Sequence, residues 1–455
     1  MFKTQNWSKS TLSAVRFTVL LAILLSCFGV AQEETWVSGE VSSDLNAPFN
    51  FTGWEGPGEV EKWTMTFDEF FAANYPNVQQ VGNTGVAWPD YWTTLPAQLS
   101  GGAPIDLVWM HDSRVQTFAN NEWLLPLDDY LTQFPIPGWP DKFVPSQVAA
   151  FNYEGKQYAI PYDWAPGGLY INADLFAAEG IEIPTEDWTW DELLAAAQKL
   201  TKDTDGDGQV DQWGISNLAS VGTGPGIIYW VVKSFGGDYW NEKITESRMN
   251  EEGTCAAMQF LGDLIWEYEV MPTADAVAAT GFGPELLFAN GKVAMHFALN
   301  DTASRFAELI ADDFNWTVAP TPTGPAGRFQ FVGGSAFAIP STATQPQLTY
   351  ELIRYTISNP EVLPRTADMG SAYTSHLDYT GFVLPQDSPI RDAYEQTFAV
   401  LGERDGVFPQ YHPKFLEWES SVFVSVFDRL WTGEERDASV LCQEAHDLTN
   451  ALLQE

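Results

Sequence analysis

The sequence is poor in positive charge. It carries 22 Lys and Arg against 61 Asp and Glu, a formal net charge of −39, with no compensating basic block. Nucleic acids and anionic membrane surfaces are therefore poor partners, since nothing offsets the repulsion. Cysteine is scarce as well, at three residues, and the five His residues are scattered at positions 111, 296, 376, 412 and 446. No Cys/His spacing reads as a zinc site. There is no G-x-S-x-G elbow, no H-E-x-x-H and no phosphate-binding P-loop. Internal repeats and low-complexity tracts are missing, and a hydrophobic content of 45% excludes disorder. Only one long apolar run occurs, Phe17 to Val30, and its 14 residues fall short of the roughly 18 to 20 that a spanning helix needs.

What is there begins with that run. Lys3, Lys9 and Arg16 precede it and Gln32-Glu33-Glu34 follow it, the pattern of a secretory signal peptide over residues 1–31 with cleavage after Ala31. The alternative is a lipoprotein, because Leu24-Leu25-Ser26-Cys27 resembles a lipobox. Either way the mature chain is exported, to the periplasm or the outer face of the cytoplasmic membrane. Loss of the leader leaves Cys255 and Cys442, in a compartment that permits a disulfide between them. Two separate buried thiols are the other reading. The excess acid fits a solvated, salt-tolerant surface.

A mature chain of this length exceeds one ordinary core and predicts two domains. PFNFTGW reads as a strand, EVEKWTMTFDEFFAANYP as a helix with Val60, Trp63, Phe67, Phe70 and Phe71 on one face, and IDLVWM as a strand. The rhythm recurs in YAIPYD, GLYIN and TWDELLAAAQKLT, where Thr189 and Glu192 form a capping box. Further helices are predicted at TCAAMQFLGDLIWEYE, QLTYELIRYTIS and SVLCQEAHDLTNALL. The fold class is α/β, with ligands expected at strand carboxyl ends. Two Pro-marked extended segments, around Pro161 and from Thr317 to Gly327, read as crossings between lobes or as surface loops.

The strings DLVWMHDSR (106–114), YAIPYDWAPGGLYINADLF (158–176), WTWDELLAAAQKLT (188–201), LLFANGKVAMHF (286–297), VAPTPTGPAG (318–327), FVGGSAFAIPS (331–341) and LWTGEERDASVLCQEA (430–445) occur in this order along one exported chain. Together they resemble the extracellular solute-binding proteins that serve sugar importers, including the maltose/maltodextrin-binding proteins. The resemblance implies a two-lobed periplasmic-binding-protein fold, of type II or Venus-flytrap form, with interrupted lobes: 40–160 plus 320–362, and 163–318 plus 363–455. The chain would cross near Pro161 and Pro320 and again after Gly333-Gly334, which places Cys255 and Cys442 in one lobe. It further implies a monomer that closes on a sugar and hands it to the membrane permease of an ATP-binding-cassette importer. No catalytic residue and no obligatory cofactor are expected.

A sugar presents hydroxyls at its edge and C–H groups on its faces, so carboxylates and flat aromatic rings are the candidates. His111-Asp112 follows the apolar strand, and maltodextrin-binding proteins carry a sugar-binding Asp in a very similar W-x-H-D string. The alternative for Asp112 is a helix N-cap. Trp54 and Glu55 end the first strand, and Asp163 and Trp164 follow the first crossing. The sugar-contacting acid of the maltodextrin proteins falls at Ala165, so that contact is absent. Trp230 and Trp418 match regions that supply stacking aromatics, with helix core as the competing role. Asn300 and Asp301 stand where relatives present a Gly-Pro-Trp type loop, and Gly334 permits close approach of backbone to ligand or a tight turn.

Asp203-Thr204-Asp205-Gly206-Asp207-Gly208-Gln209-Val210-Asp211 fits the first nine positions of a calcium loop, with Asp203, Asp205, Asp207, Gln209 and Asp211 as ligands. Its twelfth position is Gly214 rather than Glu, so a complete site needs a carboxylate or waters from elsewhere; the resemblance implies that calcium here would be structural, and the alternative is an acidic turn without metal. A secreted glycoside hydrolase shares the acidic, Trp-rich character, and a calcium-dependent adhesive module shares the loop. The first needs a pair of carboxylates across a sugar; the second ordinarily repeats the loop, which occurs once here.

Overall fold

The computed structural model describes residues 41–454 apart from 55–56, 83, 360, 363–369, 373–383 and 385–386. The leader, with Cys27, and Glu55 therefore lie outside the described residues. Among those described, no helix is long and apolar enough to cross a membrane.

Two sheets organise the chain. The first has the order Thr84–Gly85, Phe51–Gly53, Leu107–His111, Ser335–Ala338, Ala159–Pro161. Its first three strands run parallel, and Ser335–Ala338 is antiparallel to both neighbours. The helix Pro57–Asn74 follows from its pattern, since Val60, Trp63, Phe67, Phe70 and Phe71 are all buried. Tyr91, Trp92, Leu95 and Leu99 of the helix Trp88–Ser100 pack with Val108 and Met110 of the central strand. The helix Pro346–Ser358 joins this lobe through the hydrogen bonds Tyr75 to Glu351 and Tyr350 to the Phe134 carbonyl.

The second sheet is built on Asp163–Asn172, all ten residues of which are buried. The strand Val293–Leu299 pairs with it, Trp213–Ser216 extends that side, and Trp316–Ala319, Gln330–Gly333 and Gly370–Ser371 also pair with it. Alternation along a strand sends successive side chains to opposite faces. Leu169 and Ile171 thus enter a core with the helices Trp190–Leu200, Pro225–Ser234, Glu252–Trp266 and Ala438–Gln454, while Tyr170 enters another with Phe288, Phe306 and Phe398. Each such apolar side chain contributes about 1.5–3 kcal/mol by burial. The capping box forms as expected: Glu192 Oε2 accepts from the Thr189 N–H at 2.8 Å, and Thr189 Oγ accepts from the Glu192 N–H at 3.3 Å.

The crossings position the site. The chain leaves the first sheet at Tyr162, since Ala159–Pro161 belongs to one sheet and Asp163–Asn172 to the other. It returns at Gly334 and not near Pro320, because Val332 and Gly333 pair with Pro166 and Ala165 of the second sheet. The hairpin Thr323–Gly324 with Gly327–Arg328 is an excursion within that lobe, bonded back to Ser234 and Trp188. Cys255 and Cys442 are free thiols, so the expected bridge is not formed. They share one core: Cys442 is buried in the second lobe's core and Cys255 packs against it, its thiol donating to the Met249 carbonyl at 3.5 Å.

Candidate ligand-binding site at the junction of the two lobes

The apolar strand Leu107–His111 ends at the junction, and the residues after it are polar yet buried. Asp112 is fully buried; its N–H donates to the Gly334 carbonyl at 3.2 Å. Its Oδ1 lies 2.9 Å from His111 Nδ1 and accepts from the hydroxyl of Tyr411, a residue of the second lobe, at 3.4 Å. Oδ2 has no hydrogen-bond partner among the described residues. The N-cap alternative fails, because the helix Val115–Asn120 is preceded by Arg114 and has no side-chain cap.

Arg114 is also buried. Its guanidinium lies between two rings, 5.6 Å from Trp92 and 5.7 Å from Phe415, and Nη2 pairs with Glu419 Oε2 at 2.5 Å. Nε and Nη1 have no partner among the described residues, nor has Trp92 Nε1. A buried polar atom left unpaired costs about 1–3 kcal/mol, and more when charged. A carboxylate oxygen and guanidinium N–H groups standing unpaired on neighbouring residues are therefore a site for a polar ligand.

An aromatic wall stands beside them. Trp54 lies 5.2 Å from Trp88, 5.6 Å from Tyr91, 5.4 Å from Trp92 and 5.5 Å from Trp109, and Trp88 lies 5.0 Å edge-on to His111. Trp88 is 38% exposed, so part of its ring is available to an apolar surface. Trp54 follows the strand Phe51–Gly53 and lies 6.3 Å from His111. Trp88, Trp92, Arg114, Tyr411, Phe415 and Glu419 were not expected at the site; Arg114 alone had a local signal, standing two residues beyond Asp112.

Asp163 and Gly334 stand at the crossing beside the site, and the remaining candidates lie elsewhere. Asp163 is buried at the crossing, where its Oδ1 accepts from the Ser335 N–H. Burial pushes its carboxyl up to about 7, opposed by the Ser335 hydrogen bonds and His111 and reinforced by Asp112. A Cβ on Gly334 would lie 2.0 Å from Gln147 Oε1 and 2.9 Å from the Asp163 carbonyl, so glycine there serves strand crossing. Trp164 is a correction: it is buried among Val144, Val332 and Ala372. Trp230 is another, fully covered by stacking on Trp190 at 5.3 Å and Phe297 at 5.2 Å. Trp418 is a third. Its N–H donates to Thr449 Oγ at 2.8 Å and its ring packs among Tyr239, Trp240 and Phe423, behind Phe415. Asn300 and Asp301 are buried at the end of Val293–Leu299, where the Asn300 carbonyl accepts from Tyr170 and Tyr394 and Asp301 lies 3.5 Å from Arg305.

In the acidic loop the carboxylates of Asp203, Asp205 and Asp207 offer oxygens all within 4.8 Å of one another, on an exposed turn. The N–H groups of Gly208, Gly206 and Asp207 hold the Asp203 carboxyl below its usual range. Gly206 and Gly208 have φ of 79° and 93°, which glycine alone adopts without strain. Asp211 departs from the expected ligand set, because its carboxylate is bonded to Thr204 and Lys292. Gln209 donates its N–H to Asp207 Oδ1.

A sequence profile described as bacterial extracellular solute-binding protein matches residues 56–362. The maltotriose-binding protein of Pyrococcus abyssi is 24% identical over 326 residues, 69% of this chain and 63% of that protein. The arabinooligosaccharide-binding protein of Halalkalibacterium halodurans is 25% identical over 252 residues, covering 52% and 50%. The matches thus span less than two thirds of these curated relatives' length. Among solved structures, an ABC substrate-binding protein from Listeria monocytogenes in complex with cycloalternan has a TM-score of 0.77 at 22% identity, covering 90% of this chain and all of that one. A solute-binding protein of Thermotoga lettingae bound with α-D-tagatose has a TM-score of 0.74 at 18% identity, with coverage of 90% and 100%. The two-lobed fold is that of these proteins, and with two thirds of the chain inside the profile, the protein belongs to the bacterial extracellular solute-binding protein family.

Proposed function

We propose that the protein is an exported, non-catalytic receptor that binds a sugar between its lobes and delivers it to the permease of an ATP-driven importer. The observation that carries this reading is the conjunction of Asp112 Oδ2 and the Arg114 Nε and Nη1, unpaired and buried, with a partly open Trp wall. A sugar hydroxyl donates to the carboxylate and accepts from the guanidinium, while its C–H face lies on Trp88 or Trp54. Tyr411, Phe415 and Glu419 reach the same groups from the second lobe, so ligand contacts on both lobes favour the closed form. The names of the relatives support a saccharide: maltotriose, arabinooligosaccharide, cycloalternan and tagatose.

The leader would export the chain by cleavage after Ala31 or by lipidation at Cys27. The protein acts as a monomer, and Asp203, Asp205 and Asp207 hold a structural calcium ion remote from the chemistry of the sugar. The glycoside-hydrolase reading draws on Asp163, an acid of raised proton affinity near Asp112. Against it, Asp163 is buried and already bonded to Ser335.

Thermal unfolding against a panel of mono-, di- and oligosaccharides, followed by product analysis, tests the proposal. A midpoint that rises and saturates with one sugar class, with the sugar recovered intact, is expected. Cleavage of the sugar, or no shift with any member, contradicts it.

A further inference from the structure

The guanidinium at the junction is matched before any ligand arrives. Arg114 of the first lobe is paired with Glu419 of the second, while Asp112 Oδ1 lies 2.9 Å from His111 Nδ1. Asp163 at the crossing adds a further carboxyl, which His111 and Asp112 both influence. Glu419 opens the π-helical turn Glu419–Val424, and its Oε1 approaches Gly224 so closely that a Cβ there would lie 2.8 Å from it. Arg114 is fixed between the Trp92 and Phe415 rings. The Tyr411 hydroxyl donates to Asp112 Oδ1 at 3.4 Å.

What remains for a ligand is a set of donors from a neutralised guanidinium and one acceptor oxygen on Asp112. A hydroxyl fits both, since it donates and accepts. A carboxylate or sulfate fits only the first. It would meet Asp112 Oδ2 with no proton to give, and would compete with Glu419 for a cation buried out of water, where like charges repel strongly.

We propose that Glu419, by occupying the Arg114 guanidinium across the lobe junction, makes the site select neutral sugars over acidic ones. This rests on the receptor reading and adds the charge class of its cargo. Glu419 is a positioning and specificity residue here, acting through Arg114, and its mechanism is exclusion: with Arg114 already paired, an acidic ligand's own charge is left without a partner.

The test is calorimetric titration of the mature protein and its variants with neutral mono-, di- and trisaccharides and with galacturonic acid and its dimer and trimer. The wild type is expected to bind at least one neutral sugar on the order of 100-fold tighter than any uronate. Glu419→Gln keeps a side-chain carbonyl for Arg114 but removes the charge, and should narrow that ratio by about 10-fold, with the gained uronate binding weakened by added salt. Glu419→Asp keeps the charge and should keep the preference. A uronate that binds the wild type as tightly as the best neutral sugar overturns the proposal alone, as does a ratio unchanged in Glu419→Gln or altered equally in both variants. Absence of binding by any sugar of either kind removes the receptor reading, and this inference with it.

Discussion

Two groups of tryptophans occupy opposite situations. Trp54, Trp88 and Trp92 crowd edge to face at the end of the first sheet, with Trp88 partly open to solvent and the Trp92 N–H unpaired. Trp190, Trp230 and Trp418 lie in the second lobe's core, where the Trp190 N–H donates to Ser234, the Trp418 N–H donates to Thr449, and neighbouring rings cover Trp230. The first group has surface and hydrogen-bonding capacity left for a ligand, and the second has been used up by the fold. Aromatic content alone does not separate them; the ring surface left open, as at Trp88, does.

The comparison breaks most visibly by truncation. Trp230→Ala should cost about 3–5 kcal/mol of stability through the cavity it leaves, read as a lower midpoint in urea. Trp88→Ala should shift stability by no more than about 0.5–1 kcal/mol yet weaken sugar binding in calorimetry. Equal stability losses in the two variants would erase the distinction.

The polar half of the site sharpens it. Asp112→Asn removes a charged acceptor, and sugar affinity should fall on the order of 10- to 100-fold while the lobes stay folded by circular dichroism.

Asp163 supplies a pH signature that belongs to the crossing. Its folded-state carboxyl is raised to about 7 from an ordinary 3.8, so the folded protein retains a proton that the unfolded chain releases. Stability from this group is present below about pH 4 and is lost as pH rises to about 7, by at most about 1.4 kcal/mol per pH unit. Asp163→Asn should abolish that slope in denaturant titrations at a series of pH values. A wild type and variant with parallel pH profiles would show that Asp163 does not titrate in this window.

The smallest effect is expected at the acidic loop. Calcium should raise the melting midpoint by a few degrees, Asp203→Asn should remove the increment, and neither should move sugar affinity.

What could be read from the sequence follows from how local each signal is. The helix Pro57–Asn74 and the Thr189–Glu192 capping box rest on spacings within one element, and both are formed. Asp112 at a strand end was legible for the same reason. The crossing at Gly334 agrees with the resemblance, but the one expected near Pro320 does not occur, because Val332 and Gly333 still pair with Pro166 and Ala165, and nothing in Pro320 and its neighbours encodes those partners. Tyr411, Phe415 and Glu419 meet Asp112 and Arg114 only through the closed chain path. Trp230 and Trp418 take the helix-core role rather than the stacking one, and helical spacing cannot decide between them because it gives the face of a residue but not what covers it.

The most direct measurement is the crystal structure of the mature protein with a sugar that stabilises it. A sugar ring is expected against Trp88 or Trp54 and hydroxyls on Asp112 Oδ2 and the Arg114 Nε or Nη1, with the Arg114–Glu419 pair intact. A sugar bound elsewhere, with those atoms still unpaired, would contradict it.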